Sequence, residues 1–393
     1  MRTGKKAVLA AVILFLLAAW VNPAPAFGQP LEEELQDLEK ELDLTVLDQL
    51  WQELEEEMGD YLPSFHWRDI LSWMQEREEP VGLGGLMAGF WNYLWKEVLI
   101  NVNLLGKLLV LAVVASLLKN LQRAFSSEHL APLAQAVIFL VLIGIAINSF
   151  HVAIGIGRDA ITRMVDIVLA FLPLLLVLLA SLGSLASAAI FHPLVIFTVN
   201  FFSTVVMNVV FPLIYLTTVL SIVNHLTDKY PVSRLASLFK DCAVWVMGFS
   251  LTVFIGVTAI QGVAGSVADA VALRTAKFAT GALIPVVGSM LADALETVVG
   301  VSLILKNGLG IVGLIFLFLF TVFPLIKIFA IMLVYKVAAA VVQPLGETEL
   351  SEALNTLGNC LALVFAAVAA VCFMFIVAIT IIVGAGNAAV MFR

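Results

Sequence analysis

Charge is scarce in this sequence. Only 13% of its 393 residues are Asp, Glu, Lys or Arg, while 62% are Ala, Val, Ile, Leu, Met, Phe, Trp, Tyr or Cys. A soluble domain carries about a quarter charged residues and about half apolar ones. The imbalance excludes a soluble globular enzyme, a disordered chain and a basic nucleic-acid binder. Cysteine is also rare. Cys242, Cys360 and Cys372 lie in or beside apolar stretches, with no C-x-x-C pair, so no disulfide framework is expected. They read as small core or lipid-facing residues. The five histidines, His66, His129, His151, His192 and His225, show no ligand spacing, so no metal site is expected. There is no H-E-x-x-H, P-loop, dinucleotide fingerprint or EF-hand loop. Ser289 lies beside Gly288, but no basic partner completes an intramembrane serine protease. No enzymatic activity and no cofactor are expected.

What is present is apolar sequence in long runs, with a mean hydropathy of +1.05. Runs of this length are buried in lipid, so the chain reads as an all-α polytopic membrane protein. No strand-like alternation recurs often enough for a β-barrel. Charge is unevenly divided. Residues 1–97 hold 18 acidic and 7 basic side chains, whereas 98–393 hold 11 and 14. The first quarter is acidic and wet, and the remainder is membrane.

The chain opens like a secretory signal. Arg2, Lys5 and Lys6 precede the apolar run Ala7–Trp20, and Ala24-Pro25-Ala26 supplies an A-x-A site. Residues 1–26 are therefore predicted to be a signal peptide, the alternative being an uncleaved anchor. Either way, 27–97 is predicted to be an acidic extracytoplasmic helical region. Leu31, Leu35, Leu38 and Leu42, then Leu47, Leu50, Leu54 and Met58, recur every three or four residues, the pattern of two amphipathic helices with a break near Asp43–Thr45. Their Glu-rich faces fit solvent or an extracytoplasmic partner. Pro63 ends the pair, Ser64–Glu79 suits one more short helix, and Pro80 with Gly82-Leu83-Gly84-Gly85 suggests a flexible joint. Trp91, Tyr93 and Trp95 suit the headgroup level.

Residues 98–393 form the multi-span domain. Nine apolar runs stand out: 98–118, 131–149, 165–182, 188–207, 210–224, 242–262, 308–326, 328–345 and 357–383. The fifth and eighth are short, so about 7–9 transmembrane helices are expected. The Lys/Arg bias places Lys119, Arg123, the 225–241 loop and Lys327 inside, with the acidic 346–356 loop outside. The weak point of that assignment is a loop at 150–164 containing Arg158 and Arg163.

Residues 263–300 differ from a simple span. Asp269, Arg274, Lys277, Asp293 and Glu296 stand among small apolar residues, interrupted by Gly281, Pro285 and Gly288. The segment reads as two amphipathic half-helices around a turn, either interfacial or re-entrant as a pore or gating element. Ionisable and amide groups within the apolar runs are the other candidates, because they are costly there. Lys107, Lys306, Asn307 and Lys336 belong to this set, as do Asn148, Asn200 and Asn208. A lysine can instead snorkel to the interface, and amides can join helices. Pro173, Pro193, Pro212, Pro324 and Pro344 add sites for kinks.

Five strings in order carry a family resemblance. They are Asn148-Ser149-Phe150-His151-Val152-Ala153-Ile154, Phe191-His192-Pro193, Leu273-Arg274-Thr275-Ala276-Lys277-Phe278, Leu305-Lys306-Asn307, and Tyr335-Lys336-Val337-Ala338-Ala339-Ala340 followed by Gln343-Pro344-Leu345-Gly346. Together they resemble the stage III sporulation protein AE family of endospore-forming bacteria over roughly 98–393. The resemblance implies a membrane subunit of a secretion-like channel complex connecting mother cell and forespore. It implies other stage III sporulation membrane and ring proteins as partners, and the mother-cell membrane around the forespore as location. An autonomous secondary transporter and a non-conducting scaffold are the alternatives. No nucleic acid is expected as a partner, and oligomeric state stays open.

Overall fold

The computed structural model describes residues 44–61, 66–69, 83–125, 130–224, 232–283 and 288–391. Side chains at 119–125, 130–136, 276–283, 288–301 and 386–391, and at a few single positions, lie outside the description, as does the expected signal peptide. The contacts below fall within one unit, Leu42–Arg393. Every described element is helical. They are α1 (Thr45–Met58), α2 (Leu83–Ile100), α3 (Val102–Phe125), α4 (Leu130–Ser181), α5 (Leu185–Val205), α6 (Phe211–Asn224), α7 (Ser233–Leu283), α8 (Gly288–Val342) and α9 (Thr348–Met391).

The all-α polytopic fold read from the sequence stands, but on fewer and longer rods. Five helical stretches are long and apolar enough to cross a membrane: Val137–Ser181, Leu185–Asn224, Ser233–Ala272, Ser302–Leu345 and Thr348–Ala385. The bent pair Met87–Ile100 and Val102–Leu118 makes a sixth if it is one span. Among the described residues there are thus five to six such stretches, where seven to nine apolar runs were expected over the whole chain. Runs 131–149 and 165–182 share α4, and runs 308–326 and 328–345 share α8 together with its 3₁₀ end, Gln343–Leu345.

The expected loop at 150–164 is helix. Arg158, Asp159, Thr162 and Asp166 are exposed, while Ala160, Ile161, Met164, Val165, Ile167 and Val168 are buried. Charges confined to one face lower the hydropathy without breaking the backbone pattern. Lys327 likewise lies inside α8 and not at a turn. The expected joint at 82–85 begins α2 from Leu83 onward, since isolated glycines cost a helix only about 1 kcal/mol each.

Local chemistry sets the breaks that do occur. At Asn101 the side-chain amide donates to Glu97 O at 2.8 Å, competing with the helical ladder, and the chain bends by 43°. Between α5 and α6 lies a π-turn, Val206–Val210, where Phe211 N–H reaches back to Val206 O. In that pattern Met207 O would need the N–H of residue 212, which is a proline. Arg158 Nη2 of α4 supplies the missing donor at 3.1 Å. Gly183 (φ 80°) lets α4 end and α5 begin within three residues. Gly346 (φ 83°) turns the chain between the 3₁₀ end Gln343–Leu345 and α9.

Antiparallel α8 and α9 form the spine, with α4 beside both. Tyr335 Oη donates to Ser149 Oγ at 2.9 Å, and Phe171 tilts against Phe316, so α4 and α8 are also antiparallel. Helix α1 lies on this spine. Leu47, Trp51 and Leu54 are buried, with Trp51 edge-on to Phe316. Glu57 pairs with Arg163 of α4 at 2.6 Å. The Leu47–Leu54 part of the expected stripe thus faces the spine, with Trp51 in the central position and Leu50 half-buried, while Leu31–Leu42 and the Met58 side chain lie outside the described residues. Of the interfacial aromatics, Trp91 and Trp95 are exposed, whereas Tyr93 turns inward onto Phe323.

Candidate functional site

The charged 263–300 segment is helical on both sides of 284–287. Residues 263–283 continue α7, 288–300 begin α8, and 284–287 lie outside the described residues. Within it, Asp269 is fully buried. Its carboxylate accepts Ala186 N–H at 2.9 Å and Ser187 N–H at 3.2 and 3.3 Å, in the first turn of α5. The first four N–H groups of a helix have no internal acceptor. Ser184, at the N-cap position, makes no side-chain cap bond, so a carboxylate from another helix takes that role. Its negative charge also complements the positive end of the α5 dipole.

Lys306 is fully buried too, and Nζ donates to Val383 O of α9 at 2.8 Å. Ser266 of α7 donates to Gly262 O at 2.7 Å and approaches Ala385 O at 3.4 Å. Two helices, α7 and α8, thus bring polar groups toward the last turns of α9 and the first turn of α5. Among the described residues, the side-chain oxygens of Ser184, Ser187, Gln261, Ser302 and Asn307 are buried there and elsewhere in the bundle without a hydrogen bond. Orphan oxygens of this kind are what ordered water or a polar ligand satisfies.

Of the remaining candidates, Lys336 and Lys107 lie away from this end. Arg274 is exposed, about 140° around α7 from Asp269, so the two do not face each other. The side chains of Lys277, Asp293 and Glu296 lie outside the described residues. Lys336, thirty residues beyond Lys306, is about 45 Å away along α8. It is half-buried, and Nζ donates to Asn355 Oδ1 at 2.7 Å and to Asn359 Oδ1 at 2.5 Å. Its stem crosses Gly358, where a β-carbon would stand 3.0 Å from Lys336 Cε. Lys107 is exposed on α3. The sequence reading missed the two asparagines, although their spacing of four within an apolar run was a usable signal. It also missed Arg158, whose partner depends on a π-turn in another helix. Cys242 is exposed, and Cys360 and Cys372 are buried, all as free thiols.

A long apolar bundle with a buried carboxylate and a buried ammonium at one end, and unpaired buried oxygens among the described residues, defines a polytopic α-helical membrane protein with buried polar groups. Comparison places it further. The family model described as stage III sporulation protein AE matches residues 65–386. The protein named Stage III sporulation protein AE from Bacillus subtilis (strain 168) is 37% identical over 393 residues, covering 98% of each chain. No solved structure matches. The chain belongs to the stage III sporulation protein AE family, a sporulation family of membrane type.

Proposed function

We propose that this chain is a membrane subunit of a secretion-like channel complex connecting mother cell and forespore, required for spore development. It would sit in the mother-cell membrane around the forespore, with the acidic N-terminal region extracytoplasmic and facing ring-forming partners. The observation that supports a conducting role is the buried polar end of the bundle. Asp269 and Lys306 are fully buried where α5, α7, α8 and α9 meet, in an otherwise apolar protein. Ionisable groups buried inside an apolar helical bundle are costly, and a polar path is one role that retains them. Arg274 and Lys277 would then act at the mouth of the path, on the same helix as Asp269.

The test uses a Cys242→Ser background, in which the remaining Cys360 and Cys372 are buried. Single cysteines at Gln261, Ser302 and Asn307 are treated with an impermeant thiol reagent in intact sporulating cells. Labelling that disappears when the ring partners are deleted is the expected result. No labelling at any position, with the complex assembled, would sink the conducting role and leave a scaffold.

A further inference from the structure

One face of α4 is left uncovered by the rest of the described chain. Asn148, Gly155 and Thr162 recur on it every seven residues, and so do Val152, Asp159 and Asp166, all exposed except for half-buried Gly155. Seven-residue rows are the spacing with which one helix packs along another. Val137 and Leu140 continue the face before these rows and Val177 continues it after them. It therefore runs along most of Val137–Ser181, polar in the middle and apolar at both ends.

The polar middle stands at a height where another side of the bundle is apolar. Arg158 reaches Met207 O, so it is level with the π-turn after α5. Helices α5 and α7 are antiparallel, since Phe202 meets Phe254 and Ser187 lies against Gly265. The same register brings Trp245 and Phe249 of α7 level with Arg158, and Trp245 is 77% exposed. Such aromatic surface suits lipid, where charged side chains are costly unless paired or wet. Within the chain only one of the α4 charges is paired, Arg163 with Glu57 of α1. Among the described residues Asp159 and Asp166 make no ion pair, and Arg158 makes one hydrogen bond, to a backbone oxygen.

The face is its own complement. Arg158 and Asp159 differ by about 1.5 Å in height and about 100° around α4, one on each side of a midline. Gly144, Gly155 and Thr162 lie within about 10° of that midline. At both glycines nothing stands within 4 Å of where a β-carbon would be, which leaves room for another helix to come close. Two copies inserted in the same sense are related by an axis along the membrane normal and meet at equal heights. A two-fold axis beside this midline sets the Arg158 edge of each α4 against the Asp159 edge of the other. Two ion pairs then form, and no like charges meet at that level. A strongly acidic or strongly basic partner would attract one of these two residues and repel the other. Polar groups between helices also hold helices together in lipid.

We propose that a second copy of this chain packs on the exposed face of α4, about a two-fold axis along the rods, with Arg158 of each copy paired to Asp159 of the other. The contact is independent of any role in conduction.

Disulfide cross-linking of the full chain in membranes of sporulating cells tests it. The background is Cys242→Ser, in which Cys360 and Cys372 are buried. Single cysteines are placed at Gly155 or Thr162 on the midline, and at exposed Ile260 on α7 as a control. Mild oxidation is expected to link two differently tagged copies through Gly155→Cys and through Thr162→Cys, and not through Ile260→Cys. Charge exchange then reads the pairing. Arg158→Asp in every copy, or Asp159→Arg in every copy, is expected to abolish the dimer. Co-expressing one copy carrying Arg158→Asp with another carrying Asp159→Arg is expected to restore it, because both contacts again join Asp to Arg. Asp159→Asn leaves the Arg158 bond to Met207 O in place and is expected to weaken the dimer too, which separates pairing from folding. Absence of a dimer from both midline cysteines would overturn the two-fold contact. So would a dimer indifferent to the charge exchanges and to Asp159→Asn, or adducts at these cysteines with other proteins only.

Discussion

Gly265 and Ser187 lie so close that a β-carbon on Gly265 would stand 2.6 Å from the Ser187 hydroxyl oxygen and 3.2 Å from its α-carbon. One turn later on α7, the short side chain of Asp269 reaches the first turn of α5. The contact and the cap depend on each other, because Asp has one methylene with which to span the gap.

Removing the cap leaves two helix N–H groups without an acceptor in a buried setting. Asp269→Ala is expected to cost about 1–3 kcal/mol. Asp269→Asn retains an acceptor oxygen and is expected to cost less. Gly265→Ala pushes the helices apart and weakens the same bonds, so Gly265→Ala with Asp269→Ala is expected to cost less than the two singles added. Thermal unfolding of the purified protein in detergent measures all four. Simple additivity would separate the close contact from the cap.

Gly310 offers a second close approach, with a β-carbon there standing 2.4 Å from Val383 Cγ2. Gly310→Ala is expected to overpack the α8–α9 spine by about 1–3 kcal/mol. Val383→Ala removes the atom in the way, so adding it should restore most of the lost stability. An unfolding midpoint that falls further in the double variant would mean that the spine is held apart by something else.

Much of the fold was legible because lipid imposes one rule on sequence: long apolar runs must be helices. The runs were found, but their boundaries were read as helix ends. In α4 the hydropathy falls at 158–166 because charges occupy one face, and the backbone continues. Periodicity within the dip, with Ile161, Met164, Val165 and Val168 buried, was the signal for helix. The buried end was half legible. Asp269 and Lys306 stood out as ionisable groups in apolar surroundings. Their partners are backbone atoms 83 and 77 residues away, and no local pattern encodes those. Asp269 and Arg274 are close in sequence but about 140° apart around α7, so sequence proximity did not bring them together.

The π-turn gives a cleaner exchange. Arg158 donates to Met207 O, where Pro212 withholds an N–H. Arg158→Gln is expected to cost about 1 kcal/mol in the natural background. With Pro212→Ala, the backbone can supply its own donor, and the same Arg158→Gln change should cost little. The comparison is two unfolding midpoints in each background. An equal loss in both would show that Arg158 stabilises the bundle by another route.

The last expectation separates the two ways in which α1 is held. Glu57 and Arg163 meet at 2.6 Å, but their side chains are 43% and 42% exposed, and ion pairs at such positions contribute little. Trp51 is 4% exposed and packs edge-on against Phe316, between buried Leu47 and Leu54. Truncating a buried aromatic of this size costs about 3–5 kcal/mol when the site cannot collapse. Trp51 is the largest buried side chain that the described residues of α1 place on the spine, so the loss should appear as local release of α1 before the rods unfold. Trp51→Ala is therefore expected to make the segment near Glu53–Glu57 sensitive to limited proteolysis with a glutamate-specific protease, while the unfolding midpoint of the bundle changes little. Glu57→Gln should leave both unchanged at moderate salt. Were Glu57→Gln to release the helix and Trp51→Ala to leave it protected, charge and not burial would be holding the acidic segment on the spine.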